Sequence, residues 1–351
     1  MQAPAFWWRD RADPGPLSGL LGPLGALWAA AARRRLARGT AWRAPVPVIC
    51  VGNLTVGGAG KTPVVMALLD RLAARGIAAH ALSRGHGGRL LGPVRVDPAI
   101  HRSRDVGDEP LLLAALAPAW VSRDRAAGAR AAVGAGAQAI IMDDGHQNPA
   151  LGKDLSILVA DAAIGFGNGR VMPAGPLRET LADGLSRAGL LLTLGSQPDQ
   201  DSLASRWPEA AALPRARGQV MPLATGMSWR GRRLLAFAGI ARPQKFFATL
   251  EAEGARLLAR HAFDDHAEYP ARLLARLERE ARSLGAQLVT TEKDAVRLPP
   301  AFRRQVLVFP VRLRLDDAAA LDAALDAVLG PPPRLPQGQG GPGGDPGSSP
   351  A

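Results

Sequence analysis

Val48-Ile-Cys-Val-Gly-Asn-Leu-Thr-Val-Gly-Gly-Ala-Gly-Lys-Thr-Pro63 decides how the chain is read. Val48 to Val51 follow Pro47 as a short apolar, mostly β-branched run, the signature of a buried strand. A loop with Gly57, Gly58 and Gly60 comes next, then Lys61, Thr62 and Pro63, and an apolar-periodic segment from Val64 to Leu72. Proline is tolerated in a first helical turn, so the helix is expected to start here. Strand, glycine loop, Lys-Thr and helix make a P-loop. Its backbone N–H groups, from Thr55 through Gly57, Gly58, Ala59 and Gly60, would close on phosphate oxygens at the positive end of the helix. Lys61 would reach the outer phosphates of a nucleoside triphosphate, and the Thr62 hydroxyl would face Mg²⁺. The usual spacing puts a glycine at position 55, where this chain has Thr55.

Outward from this stretch, short apolar runs alternate with helical ones. The runs are Val48–Val51, Ala78–Leu82, Val94–Val96, Ala137–Met142, Leu155–Val159 and Leu190–Leu194. That alternation predicts an α/β fold of the P-loop NTPase type, with a mostly parallel sheet and helices on both faces. A second set, Leu234–Ile240, Gln287–Thr291 and Gln305–Val311, predicts a smaller α/β lobe facing the first across a cleft. The expected division is an N-terminal segment at 1–44, a P-loop core at 45–207, the smaller lobe at 208–330, and a tail at 331–351 too rich in Pro and Gly to bury a core.

The N-terminal segment has its own chemistry. Pro14 to Ala32 carries no charge and is followed by Arg33-Arg34-Arg35. A bilayer-crossing helix needs about 20 apolar residues, and this run is barely long enough and interrupted by prolines. The preferred reading is a monotopic helix lying at a membrane interface, with arginines on anionic headgroups; a single span and a core helix are the alternatives.

Composition narrows the partners. The formal charge is +12, with 43 basic against 31 acidic residues, a balance suiting nucleic acid, an anionic membrane or a phosphorylated substrate. Aromatic residues make up only 5%, and no DNA or RNA module is visible, so nucleic acid is not expected as a partner. Lysine occurs only at 61, 153, 245 and 293. Where arginine is so freely used, lysine at 61 and 293 marks places that need a compact point charge. The single Cys50 excludes an intrachain disulfide and reads as a small buried hydrophobe.

Further motifs fall at predicted strand ends. Ala137 to Gly145 is an apolar strand ending in Asp143-Asp144, the form of a Walker B element, with Asp144 the expected metal partner and Asp143 its supporter. Ser83-Arg84-Gly85-His86-Gly87-Gly88 is either a phosphate-binding loop with Arg84 as its charge or a surface turn. Asp108, in Val106-Gly-Asp-Glu-Pro110, is either a helix cap or a carboxylate aimed at an acceptor hydroxyl. The long loop Gly167 to Glu179 carries Asn168, Arg178 and Glu179, and ordered loops of that length tend to be functional. In the second lobe, Phe263 to Tyr269 sets His266 among acids, a general base or electrostatic helper in one reading and an ordinary surface cluster in the other.

Together these stretches resemble one family, the tetraacyldisaccharide 4'-kinases that phosphorylate a lipid A precursor. The matching segments are VGNLTVGGAGKTP, LSRGHGG, VGDEPLL, DDGHQ, GNGRVMPAGPLRE, AFAGIARPQKFF, FDDHAEY and TEKD, in the family's order across roughly residues 46 to 297. Thr55 is also how that family writes its P-loop. This chain departs where the family has an aromatic at His86, DDGFQH at Asp143 to Asn148, and two histidines at His266-Ala267. The resemblance implies transfer of the ATP γ-phosphate to the 4'-hydroxyl of a tetraacylated glucosamine disaccharide 1-phosphate at the cytoplasmic face of the inner membrane. It further implies that Lys61 and Thr62 serve ATP and Mg²⁺, and that Asp144 and Glu179 are carboxylates on the metal side. Asp108 assisted by His266 would activate the acceptor, and Arg84, Asn168 and Arg178 would bind substrate. A non-kinase P-loop ATPase acting as a switch is the competing reading; it explains the P-loop but not Asp108 and His266.

Overall fold

The computed structural model describes residues 3–331. All but the first residue of the tail expected at 331–351 lie outside the described residues. Among the described residues, thirteen strands form two sheets: β1 Val48–Gly52, β2 Ala79–Ser83, β3 Val94–Arg95, β4 Ala119–Val121, β5 Ala139–Asp143, β6 Leu155–Asp161, β7 Leu190–Leu194, β8 Arg215–Pro222, β9 Arg233–Ala238, β10 Arg256–Ala262, β11 Gln287–Thr291, β12 Val306–Phe309 and β13 Val311–Asp317. The larger sheet runs β13-β8-β7-β6-β1-β5-β2-β4-β3 and the smaller β10-β9-β11-β12. The larger is parallel from β8 to β4, with antiparallel β13 and β3 at its edges. All pairs of the smaller sheet are parallel.

Every residue of β1, β5 and β6 is buried, which is why they read as unbroken apolar runs. Successive side chains on β1 point to opposite faces. Ile49 and Val51 pack with Val64, Val65, Leu68 and Leu72 of the helix Lys61–Ala74. Val48 and Cys50 pack on the other face with Ala129 and Ala132 of the helix Arg125–Gly134. Burial pushes the Cys50 thiol up to about 12, as suits a small core residue.

The second lobe repeats this layering. Phe246, Phe247 and Leu250 of the helix Pro243–Ala252 cover one face of its sheet. Leu274, Leu277 and Ala281 of the helix Ala271–Leu284 cover the other.

The boundary expected at 208 is redrawn. β8 and β13 belong to the larger sheet, so the chain leaves the P-loop core after β8 and returns to it at β13. Their pairing aligns Val311 with Pro222 and Leu313 with Val220. The helix Ala319–Leu329 then buries Leu321 and Leu325 in the first core. Its Asp322 accepts from Arg71 and Arg75, and Asp326 from Arg75, on the helix that follows the P-loop.

The N-terminal segment forms a 3-10 turn, Ala5–Trp8, and two helices, Pro16–Leu20 and Gly22–Arg38. None of the described helices is long and apolar enough to cross a membrane. Ser18, Gly25, Ala29 and Ala32 form the buried side. Gly25 is required there: a Cβ would stand 2.7 Å from the Val171 carbonyl oxygen. Leu17, Leu20, Leu24, Leu27 and Trp28 form the outer side and are exposed. Leu27 and Trp28 follow Leu24 by three and four residues on one stripe of the helix Gly22–Arg38, and Leu17 and Leu20 are three residues apart on the helix before it.

Candidate active site

Parallel pairing of β1 with β5 sets Val51 opposite Asp143, so the P-loop and the two aspartates leave the same edge of the sheet. This is where ligands collect in open α/β sheets. Gly57 and Gly60 adopt positive φ of 105° and 84°, conformations that the loop closure needs and L side chains resist. Thr55 fits without glycine because it is bridged to Leu177, and the Asn53 amide donates to its carbonyl at 2.7 Å.

Lys61 lies in the loop's mouth. Its Nζ donates to Asn53 Oδ1 at 3.0 Å and stands 3.5 Å from Asp144. Arg178 reaches the same Asp144 oxygen at 2.9 Å. Although partial burial opposes it, the Asp144 carboxyl is held below its usual range by these two cations, Lys61 first. Its φ of 52° turns it away from the strand path that Asp143 ends. Asp143 is more deeply buried and pushed up to about 7, with Lys61 partly opposing the effect of burial. Its Oδ1 has no hydrogen-bond partner among the described residues.

Glu179 is buried and already held: Gln147 donates to one oxygen at 2.9 Å, and Arg187 pairs with the other. Gln147 also bonds the Asn53 carbonyl, tying the loop after β5 to the start of the P-loop. His146 is buried beneath, its Nε2–H donating to the Gly184 carbonyl at 3.0 Å. Burial drops its pKa to about 4, so the imidazole is neutral and belongs to the packing under the site.

No group of three or more His, Cys, Asp or Glu side chains among the described residues forms a metal cage. That does not count against Mg²⁺, which keeps several waters and takes one or two carboxylates plus substrate phosphates. Thr62, Asp144 and the unbonded Oδ1 of Asp143 are a donor set of that kind.

The acceptor side is built from both lobes. Gly107, with φ of 90°, precedes the helix Asp108–Leu113, so Asp108 is its first residue and not its cap. Asp108 is buried, and its Oδ2 accepts from His266 Nδ1 at 2.8 Å and pairs with Arg297 Nε at 3.2 Å. His266 adopts φ of 60°, rare for a residue with a Cβ, and its N–H donates to the Gly239 carbonyl. The bond to Asp108 raises the His266 pKa against the effect of partial burial. Next to Asp108, Glu109 pairs with Lys293 at 2.6 Å. At the far side of the P-loop, Arg242 and Lys245 of the second lobe pair with Asp161 at the end of β6.

Of the other expected residues, Arg84 is exposed, while the neighbouring His86 ring meets His266 edge-on at 5.7 Å. The Ser83 to Gly88 loop is thereby brought to the acceptor side. Arg178 sits with Asp144, on the nucleotide side. Asn168 is committed elsewhere: its amide nitrogen lies 3.0 Å from the Ala174 carbonyl and 3.2 Å from Ser18 Oγ, and its Oδ1 accepts from the Arg170 N–H. It anchors the N-terminal helices to the loop.

Arg297 is the residue that sequence reasoning missed. Its only sequence signal is its place three residues after Asp294, to which it pairs at 3.2 Å.

A family model described as tetraacyldisaccharide-1-P 4'-kinase matches residues 17–330. The chain is 60% identical over 338 residues to the tetraacyldisaccharide 4'-kinase of Dinoroseobacter shibae, covering 94% of this chain and 98% of that one. It is 55% identical to that of Rhodospirillum centenum, covering 94% and 97%. A crystal structure of LpxK from Aquifex aeolicus in complex with ATP superposes with a TM-score of 0.69 at 25% identity, over 89% of this chain and 99% of that one.

Proposed function

We propose a mechanism from one premise: the chain belongs to the tetraacyldisaccharide-1-P 4'-kinase family. It is an ATP-dependent kinase that phosphorylates the 4'-hydroxyl of a tetraacylated glucosamine disaccharide 1-phosphate, a step of lipid A biosynthesis. The observation that carries the mechanism is the Asp108–His266 pair, closed across the two lobes at 2.8 Å on the edge that bears the P-loop.

The nucleotide's phosphates lie in the loop from Thr55 to Thr62, against backbone N–H groups and the start of the helix Lys61–Ala74. Lys61 exchanges its contacts with Asn53 and Asp144 for the outer phosphates. Thr62 and Asp144 would hold Mg²⁺, with Asp143 and Glu179 as the remaining carboxylates on that side; the ion would supply charge neutralisation at the phosphates. Arg178 and Arg187 keep Asp144 and Glu179 in place.

The 4'-oxygen attacks the γ-phosphorus in line while the bond to the β–γ bridging oxygen breaks and ADP leaves. The hydroxyl proton passes to Asp108, whose Oδ2 is held by His266 and whose Oδ1 is left for the acceptor. Phosphoryl transfer depends mainly on positioning and electrostatics, and the base adds to these.

The acceptor's acyl chains lie in a bilayer, and the outer stripe of Leu17, Leu20, Leu24, Leu27 and Trp28 meets that surface. Arg34, Arg35 and Arg38 at the end of the helix Gly22–Arg38 face its anionic headgroups. On this reading the membrane is the inner one, met from its cytoplasmic face, where ATP is available. The test is Asp108→Asn: lipid phosphorylation should fall at least about 100-fold, the scale of general base catalysis, with ATP binding retained. Near-normal turnover would remove the base assignment.

A further inference from the structure

We infer that Arg297 is a positioning residue that fixes which oxygen of Asp108 faces the acceptor, so that the base is complete only when the lobes meet. This rests on the reading of Asp108 as the base. Asp108 belongs to the first lobe, yet its two side-chain partners come from the second. Both fall on Oδ2; Oδ1 has no hydrogen-bond partner among the described residues. A carboxylate held by one group can swing about its Cβ–Cγ bond. Held on one oxygen by an imidazole N–H and by the charge of a guanidinium 3.2 Å away on another side, it cannot.

The guanidinium is itself fixed on every side: its Nε–H donates to the Lys293 carbonyl at 3.3 Å. Nη1 donates to the Ala267 carbonyl at 3.0 Å and Nη2 to the Gly239 carbonyl at 2.9 Å. Nη2 also pairs with Asp294 Oδ1 at 3.2 Å. Asp294 is wholly buried and is held in turn by the Gly239 N–H, the Tyr269 hydroxyl and the Thr291 hydroxyl. The Gly239 and Ala267 carbonyls flank the turn that holds His266 in its left-handed conformation. One planar fork therefore sets both partners of Oδ2. A lysine would supply the charge without the fork.

The test uses the full chain with ATP and a detergent-dispersed tetraacyldisaccharide 1-phosphate. Arg297→Ala should lower kcat about 100-fold, the scale of a misplaced reacting group, and leave KM for ATP within about twofold. Added guanidinium should restore at least about a tenth of the lost rate, and Arg297→Lys should recover the rate only in part. Wild-type kcat in Arg297→Ala would overturn the inference; so would a loss that follows the folded fraction and is not rescued by guanidinium. Should Arg297→Ala not fold, Arg297→Lys decides alone: full kcat refutes the role of the fork, and reduced kcat at unchanged thermal midpoint supports it. Asp108→Asn separates the two claims. If it still turns over, the base reading fails; if it is inactive while the Arg297 variants are not, only the role of Arg297 fails.

Discussion

Replacing Leu20 and Leu27 with serine should loosen the protein from membranes without unfolding it. These side chains are 77% and 68% exposed, so they contribute little to the core. Full burial of a leucine is worth about 2 kcal/mol, and scaling by exposure gives about 1.5 kcal/mol for each when the stripe enters a bilayer interface. The pair would then account for about 3 kcal/mol, roughly a 100-fold change in partition. The assay is co-sedimentation with phosphatidylethanolamine–phosphatidylglycerol vesicles, with partition measured against lipid concentration and the thermal midpoint measured in parallel. The arginines add about 1 kcal/mol each at an anionic surface, so salt should weaken the wild type but not remove its binding. Unchanged partition of the double variant, or binding abolished by salt alone, would show that the stripe does not enter the bilayer.

Asp322→Ala should cost about 1 kcal/mol, because it removes a bidentate but partly exposed pair with Arg71 that clamps the returning C-terminal helix onto the helix after the P-loop. Its hydrogen bond with Arg71 lowers the Asp322 pKa, so this contribution is present above the ordinary value of 3.8 and is lost as pH falls through the folded value; thermal melts against pH would show the gap closing in acid. The sign is opposite for His266. Asp108 raises its pKa, so the stability from the imidazolium pair is fully present below the ordinary value of 6.5 and is lost as pH rises through the folded value. The difference in melting temperature between wild type and His266→Gln should therefore narrow as pH rises above 6.5 and through the folded value, and a constant gap would refute the pairing.

The P-loop was legible because its strand, glycines and helix are adjacent in sequence and each carries a local physical reason. The aspartates after β5 were legible for the same reason, once a parallel neighbour was assumed. β8 and β13 were not: Arg215-Ala-Arg217 and Arg312-Leu-Arg314 interrupt the apolar pattern toward and at the sheet's edge, and the two strands pair across the whole inserted second lobe. The Asp108–His266 pair rested on resemblance, because no spacing rule joins residues from separate lobes. Arg297 was invisible in an arginine-rich chain, since what distinguishes it is burial between two carboxylates. Asn168 misled because a polar residue in a glycine-rich loop looks available, whereas its amide is used to hold the N-terminal helices.

The most direct measurement is transfer of labelled γ-phosphate from ATP to a detergent-dispersed tetraacyldisaccharide 1-phosphate by the purified protein, beside Lys61→Ala. A labelled bisphosphorylated lipid carrying its new phosphate at the 4'-position, lost in Lys61→Ala, is the expected result. ATP hydrolysis without labelled lipid would contradict the account and favour a P-loop ATPase that is not a kinase.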